Sequence, residues 1–139
     1  MSILKTKIDY TLFEKYDKEY FIENKIVPIY EDSISLKIAI CSSSNIEKIK
    51  DDFVKIVNFI EEKEHDILFI LANIEKRVIL HKAALKSISS NDDEKFTSYF
   101  LDELILYSIE QRASDIHIEK YQDLCLFKFR VDGRLRIFF

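Results

Sequence analysis

Glycine occurs once and proline once in these 139 residues, tryptophan is absent, and there are two cysteines and three histidines. A loop that cradles phosphates needs several glycines to bring its backbone amides together, and a chain whose only glycine is Gly133 has none to offer. No serine has the glycine-flanked setting of a hydrolase elbow, and no pair of histidines stands at metal-ligand spacing. Cys41 and Cys125 lie far apart in apolar runs, which predicts two buried, reduced thiols rather than a disulfide or metal framework. Continuous apolar stretches are also scarce. The opening MSILKTKIDYTLFEKYDKEY carries charge throughout, so it reads as neither a signal peptide nor a membrane anchor, and a cytoplasmic chain is expected. A catalytic site complete within these residues is not expected.

What is present is an ordinary folding composition, 47% hydrophobic and 33% charged, with 21 basic against 25 acidic residues. The resulting net charge of -4 argues against a nucleic-acid binder, so any phosphate recognition has to be local. Residues 9–24 place Leu12, Phe13, Tyr16, Tyr20 and Ile22 at near-helical spacing, with Asp9 as N-cap and Asn24 as the end. IVPIYED and SLKIAI read as strands, Pro28 favouring an edge. NIEKIKDDFVKIVNFIEEKE, residues 45–64, spaces apolar residues by three and four and predicts one long amphipathic helix. DILFILA then reads as a buried strand, and NIEKRVILHKAALK as a helix with Ile74, Val78 and Ala84 or Leu85 inward. SISSNDDE has the composition of a linker. A helix over residues 95–112 follows, with Phe96, Phe100, Leu104 and Tyr107 on one face and Leu101, Ile105 and Ile109 widening the stripe. The expected class is α/β (α+β): a small sheet-and-helix domain over residues 1–86, a linker over 87–94, and a helix with an antiparallel hairpin over 95–139 that begins a second subdomain.

The strongest signal is ASDIHIEKYQDLCLFKFRVDGRL, residues 113–135. It alternates strictly, turns at Asp132-Gly133, and gathers Lys128, Arg130, Arg134 and Arg136. A two-residue turn would set Phe129 against Arg136 and mix apolar residues with cations on one face. A three-residue loop, Val131-Asp132-Gly133, restores one apolar face, and that register is the one expected. It sets Arg130 against Arg134 and Lys128 against Arg136, a repulsion that calls for nearby acid. Asp115, His117 and Glu119 supply it if their strand is a neighbour, with Ile116 and Ile118 turned to the core. A bound phosphate is the alternative, for which arginine has the better geometry.

ASDIHIE, with FRVDG nine residues further on and RL after it, resembles the second N-terminal subdomain of the secretion ATPases, the assembly motors of type II secretion systems and type IV pili. Lys120 stands where that family usually has proline, and Lys128 where it has the first arginine of a pair. YFIENKIVPIYEDSISLKIAICSSSNIEKIKDDF is similar, more loosely, to the family's first N-terminal domain. The resemblance implies a first domain that docks on the cytoplasmic part of an inner-membrane platform protein. It also implies a second subdomain that offers arginines toward the nucleotide phosphates of a RecA-like motor domain, Arg130 foremost and Lys128, Arg134 and Arg136 behind it. Ser114, Asp115, His117, Glu119, Asp132 and Gly133 match a signature that positions the hairpin. By the same resemblance the chain is the N-terminal piece of a hexameric motor, cut before its ATP- and Mg-binding domain, with no cofactor of its own and no ATP hydrolysis on its own. A stand-alone adaptor, whose cations simply pair with Asp115 and Glu119, is the second reading.

Overall fold

The computed structural model describes residues 2–89 and 93–139. Its class is mixed α+β, with two three-stranded sheets. The chain divides into two compact units, Met1–Ile74 and Glu75–Phe139, so the division falls twelve residues before the expected boundary at 86.

In the first unit a short 3-10 turn, Ile3–Lys5, precedes α1 (Leu12–Lys15) and α2 (Lys18–Glu23). Where the spacing predicts one helix over 9–24, the backbone breaks at Tyr16, which is extended, and Asp17 restarts it by accepting from the Glu19 amide. Asn24 ends it as expected. β1 (Val27–Glu31) pairs antiparallel with β2 (Ser35–Ile40). Pro28 lies in an edge strand, beside an irregularity between Pro28 and Tyr30.

The helix expected over 45–64 is instead two elements. Asn45 caps α3 (Ile46–Asp52) by accepting from the Lys48 amide, and β3 (Ile56–Glu61) follows. β3 pairs in parallel with the whole of β2, from Ser35 opposite Ile56 to Ile40 opposite Glu61. The apolar positions of FVKIVNFI satisfy both a helical and a strand period, and the free edge of β2 decides between them. The strand expected over 66–72 is likewise a helix, α4 (Glu64–Ala72). Its buried Ile67, Ile70 and Leu71 stand at helical steps, and Glu64 and Asp66 suit its first turn. Phe13, Phe21, Leu36, Ile38, Ile49, Ile67 and Ile70 form the buried interior of this unit.

The second unit holds α5 (Ile74–Ser89) from Glu75 onward, α6 (Asp93–Glu110), β4 (Asp115–Tyr121), β5 (Leu124–Val131) and β6 (Arg134–Ile137). Of the expected linker, residues 87–89 end α5 and 93–94 begin α6; the remainder lies outside the described residues. Along α5, Ile74, Val78, Leu80 and Ala83 are buried while Leu85 is exposed. The sheet is an antiparallel meander, β4-β5-β6. Leu104 and Tyr107 of α6 are buried, with Tyr107 edge-on to Phe129 (5.3 Å) and Phe138 (5.7 Å). Leu101, Ile105 and Ile109, expected to be buried, are 41%, 48% and 64% exposed. Cys125 is exposed as well, against expectation, whereas Cys41 is buried; both are free thiols.

Candidate functional site

The hairpin turns over two residues, not three. Val131 pairs with Arg134, Arg130 with Leu135, Phe129 with Arg136 and Lys128 with Ile137. Asp132 (φ 50°) and Gly133 (φ 75°) both take the left-handed region, the signature of a type I′ turn whose twist matches its flanking strands. This is the register that the purity of the apolar face argued against, and the position of β6 explains it. β6 is an edge strand, where long cationic side chains reach water past the sheet. Arg134 and Arg136 accordingly lie exposed on the Phe129 face, and Lys128 and Arg130 on the other. The four cations therefore do not converge, and the expected oppositions of Arg130 to Arg134 and Lys128 to Arg136 do not occur.

The two cations on the second face meet acid from β4. Asp115 opposes Arg130, and His117 opposes Lys128. Arg130 Nε lies 3.2 Å from Asp115 Oδ2, which also accepts from the Ser114 hydroxyl at 2.7 Å. His117 Nε2 meets the other Asp115 oxygen, and Lys128 Nζ pairs with Glu119 Oε2. The Ser114 amide donates to the Arg130 carbonyl at 2.9 Å, closing the ladder where β4 begins. Arg130 Nη1 donates to the Gly133 carbonyl at 3.4 Å, so the arginine also bridges back to its turn. Asp115 is held below the ordinary carboxylate range, foremost by the Ser114 hydroxyl and then by His117 and Arg130, against a desolvation that opposes them.

The signature residues Ser114, Asp115, His117, Glu119, Asp132 and Gly133 are thus brought, with Lys128 and Arg130, to one three-stranded sheet and its turn; Arg134 and Arg136 are on that sheet but face the other way. The Arg130 side chain is 39% exposed and its Nε edge is engaged, which leaves the guanidinium accessible to an anion from solvent. Ile116 and Ile118 share the Phe127–Phe129 face as alternation predicts, but Ile118 is 59% exposed rather than in the core.

Sequence reasoning missed a cleft of about 590 Å³ in the first unit, lined by Ser2, Ser42, Glu61, Glu62, Lys63, Glu64 and Asp66. It forms where β3 passes into α4, a junction hidden by reading 45–64 as one helix. The β-branched and aromatic density of VKIVNFI was the signal available. Beside it, Lys25 pairs with Glu64 at 2.8 Å, and the Ser43 hydroxyl reaches the same carboxylate at 3.2 Å. Among the described residues no group of three or more His, Cys, Asp or Glu side chains is arranged to hold a metal ion. No helix among them is long and apolar enough to cross a membrane.

No protein-family model matches this chain, and a search of curated proteins finds no match either.

Proposed function

We propose that this chain is the N-terminal assembly region of a secretion-type motor ATPase, cytoplasmic and held at the inner membrane through a partner. Its first unit docks on the cytoplasmic domain of a platform protein, and its second contributes Arg130, with Lys128 beside it, to sensing nucleotide phosphate. One observation carries the reading: ASDIHIE and FRVDG lie on adjacent strands, with Asp115 gripping the Nε edge of Arg130 while the guanidinium stays accessible. A preset arginine loses little freedom on meeting a phosphate, so nucleotide arrival can couple to domain rotation at low entropic cost. The residues of this chain provide no phosphate loop, so turnover belongs to a motor domain that binds ATP and Mg, assembled as a hexamer. Arg134 and Arg136 are not part of the proposed phosphate contact, because they lie on the opposite face.

In the motor polypeptide that carries these residues, Arg130→Ala is expected to lower ATP turnover by about a hundredfold. Affinity for the platform domain, read by titration calorimetry, is expected to stay unchanged. Turnover equal to the unsubstituted motor removes Arg130 from the nucleotide site. That result favours the second reading, a protein-interaction adaptor in which Asp115–Arg130 and Glu119–Lys128 only latch two strands together. The cross-strand placement of both ion pairs is the observation on its side.

A further inference from the structure

We propose that the outer edge of β3 receives an extended segment of another protein, apolar along its length and basic where it reaches the cleft at the strand's end. The inference goes beyond the motor reading and does not rest on it; it needs only the strand and the cleft. β3 closes one side of the first sheet, with β2 on one flank and no strand on the other. The Ile56 amide donates to the Ile34 carbonyl at 3.1 Å, and the Glu62 amide to the Ile40 carbonyl at 2.8 Å. Residues 56, 58 and 60 therefore turn their backbone groups to β2, while Val57, Phe59 and Glu61 turn theirs outward. Those outward groups have no hydrogen-bond partner among the described residues.

Solitary edge strands are protected by charge, proline or a bulge, and β3 has none of these before Glu61. It pairs with β2 in unbroken register from Ile56 to Glu61. Lys55, just ahead of it, is held by Glu31 at 2.9 Å. Only Asn58 interrupts the apolar run from Ile56 to Ile60, yet no residue of the strand is buried, and Ile56 is 65% exposed. β2 beside it buries Leu36, Ile38, Ala39 and Ile40. An apolar strand left half covered on both faces, with its outer ladder open, suits the addition of one more strand.

Charge says what that strand is. Glu61 belongs both to the open edge, as its last residue, and to the cleft, whose other carboxylates are Glu62, Glu64 and Asp66 against the single ammonium of Lys63. Lys25 offsets Glu64 at 2.8 Å. Glu62, however, accepts from the Ile3 amide at 3.2 Å and Asp66 from the Ser2 hydroxyl at 3.1 Å, neutral donors that leave the negative charge in place. The exposed His65 stands 3.1 Å from the second Asp66 oxygen. An incoming chain thus meets apolar surface along β3 and negative potential at its end, so its base belongs at the end that reaches the cleft. Antiparallel addition, the more stable ladder, makes that the segment's first residues. A second β3 laid antiparallel about Asn58 would offer Lys55 to Glu61, but Glu31 already holds that lysine.

The test titrates the whole chain with a synthetic peptide, acetyl-Arg-Arg-Thr-Val-Thr-Val-Thr-Val-amide, and with its twin that begins Glu-Glu. The arginine peptide should bind about tenfold more tightly, with the gap narrowing as salt is added. Glu61→Lys, at an exposed position, should remove most of that preference. Hydrogen exchange followed by NMR should show the Val57 and Phe59 amides fast in the free chain and slowed in the complex. A strand presents alternate residues to its neighbour, so N-methylating one alternate set of peptide amides should abolish binding and methylating the other should spare it. That comparison leaves the protein unaltered, so misfolding cannot mimic it. Equal losses from the two methylated peptides overturn the proposal, as does no saturable binding up to about 1 mM peptide. So does equal affinity for the arginine and glutamate peptides. A chain that dimerises without peptide, with the Val57 and Phe59 amides already protected, gives the edge to a second copy and overturns it too.

Discussion

Glu31 stands at the end of β1 where three donors converge: Lys15, Lys55 at 2.9 Å and the Tyr16 hydroxyl at 2.7 Å. Burial works against its charge, but the hydrogen bonds from Lys15, Lys55 and Tyr16 together bring its pKa down to about 2, from an ordinary 4.5. The same contact raises Tyr16 to about 12, through burial first and the neighbouring carboxylate second. Because the folded value of Glu31 is the lower one, its contribution is fully present above the unfolded value and fades as pH falls from about 4.5 through about 2. After allowance for screening this amounts to about 1–2 kcal/mol. Urea midpoints taken from about pH 6 down to about pH 2.5 should therefore fall more steeply for the unsubstituted chain than for Glu31→Gln. Parallel slopes would mean that Glu31 is not the group being titrated. None of the three donors is a sequence neighbour that a periodicity argument would pair with it, which is why the cluster is invisible before the fold is known.

At the scale of elements, what could be read in advance was whatever local chemistry decides. Asn24 marks a helix end because an amide side chain competes for backbone groups wherever it sits, and the alternation of ASDIHIE placed Asp115, His117 and Glu119 on one face. FVKIVNFI and DILFILA went the opposite way because pairing and burial between distant elements chose among periods that the residues themselves left open. The hairpin register failed for a related reason: face purity was weighed without knowing that β6 would be an edge. Asp132-Gly133 carried the better information, since both positions need positive φ and that pair of residues tolerates it. Open space surrounds the position a Cβ would take on Gly133, so the cost of Gly133→Ala is the left-handed backbone alone. We expect a loss of about 1–2 kcal/mol in the stability of the second unit, seen as a lowered thermal midpoint. Gly133→Asn should recover most of it. Equal losses in the two variants would place the cost in something other than backbone conformation.

At the scale of the whole chain, composition foretold an α+β protein but misplaced its division. The sequence-based boundary at 86 follows polar composition, and SISSNDDE is indeed polar, yet its first three residues complete α5. The division into compact units falls instead at Ile74, where α4 has ended and α5 begins. What sets it is where apolar side chains find partners. Ile67 and Ile70 are buried within the first unit, where α4 packs against β1, β2 and the opening 3-10 turn, whereas Glu75 and the rest of α5 belong to the second. A polypeptide of residues 1–74 should therefore fold by itself, despite a size at which a single core is only marginally sufficient. The expected outcome is one cooperative urea transition with the far-ultraviolet signature of mixed helix and sheet. Ile70→Ala in that polypeptide removes a side chain with no exposed surface and should cost about 2–5 kcal/mol, enough to unfold most of the population. A gradual, non-cooperative change in residues 1–74, set against a sharp one in residues 1–86, would return the boundary to the linker, because it would make the first turns of α5 part of the first core.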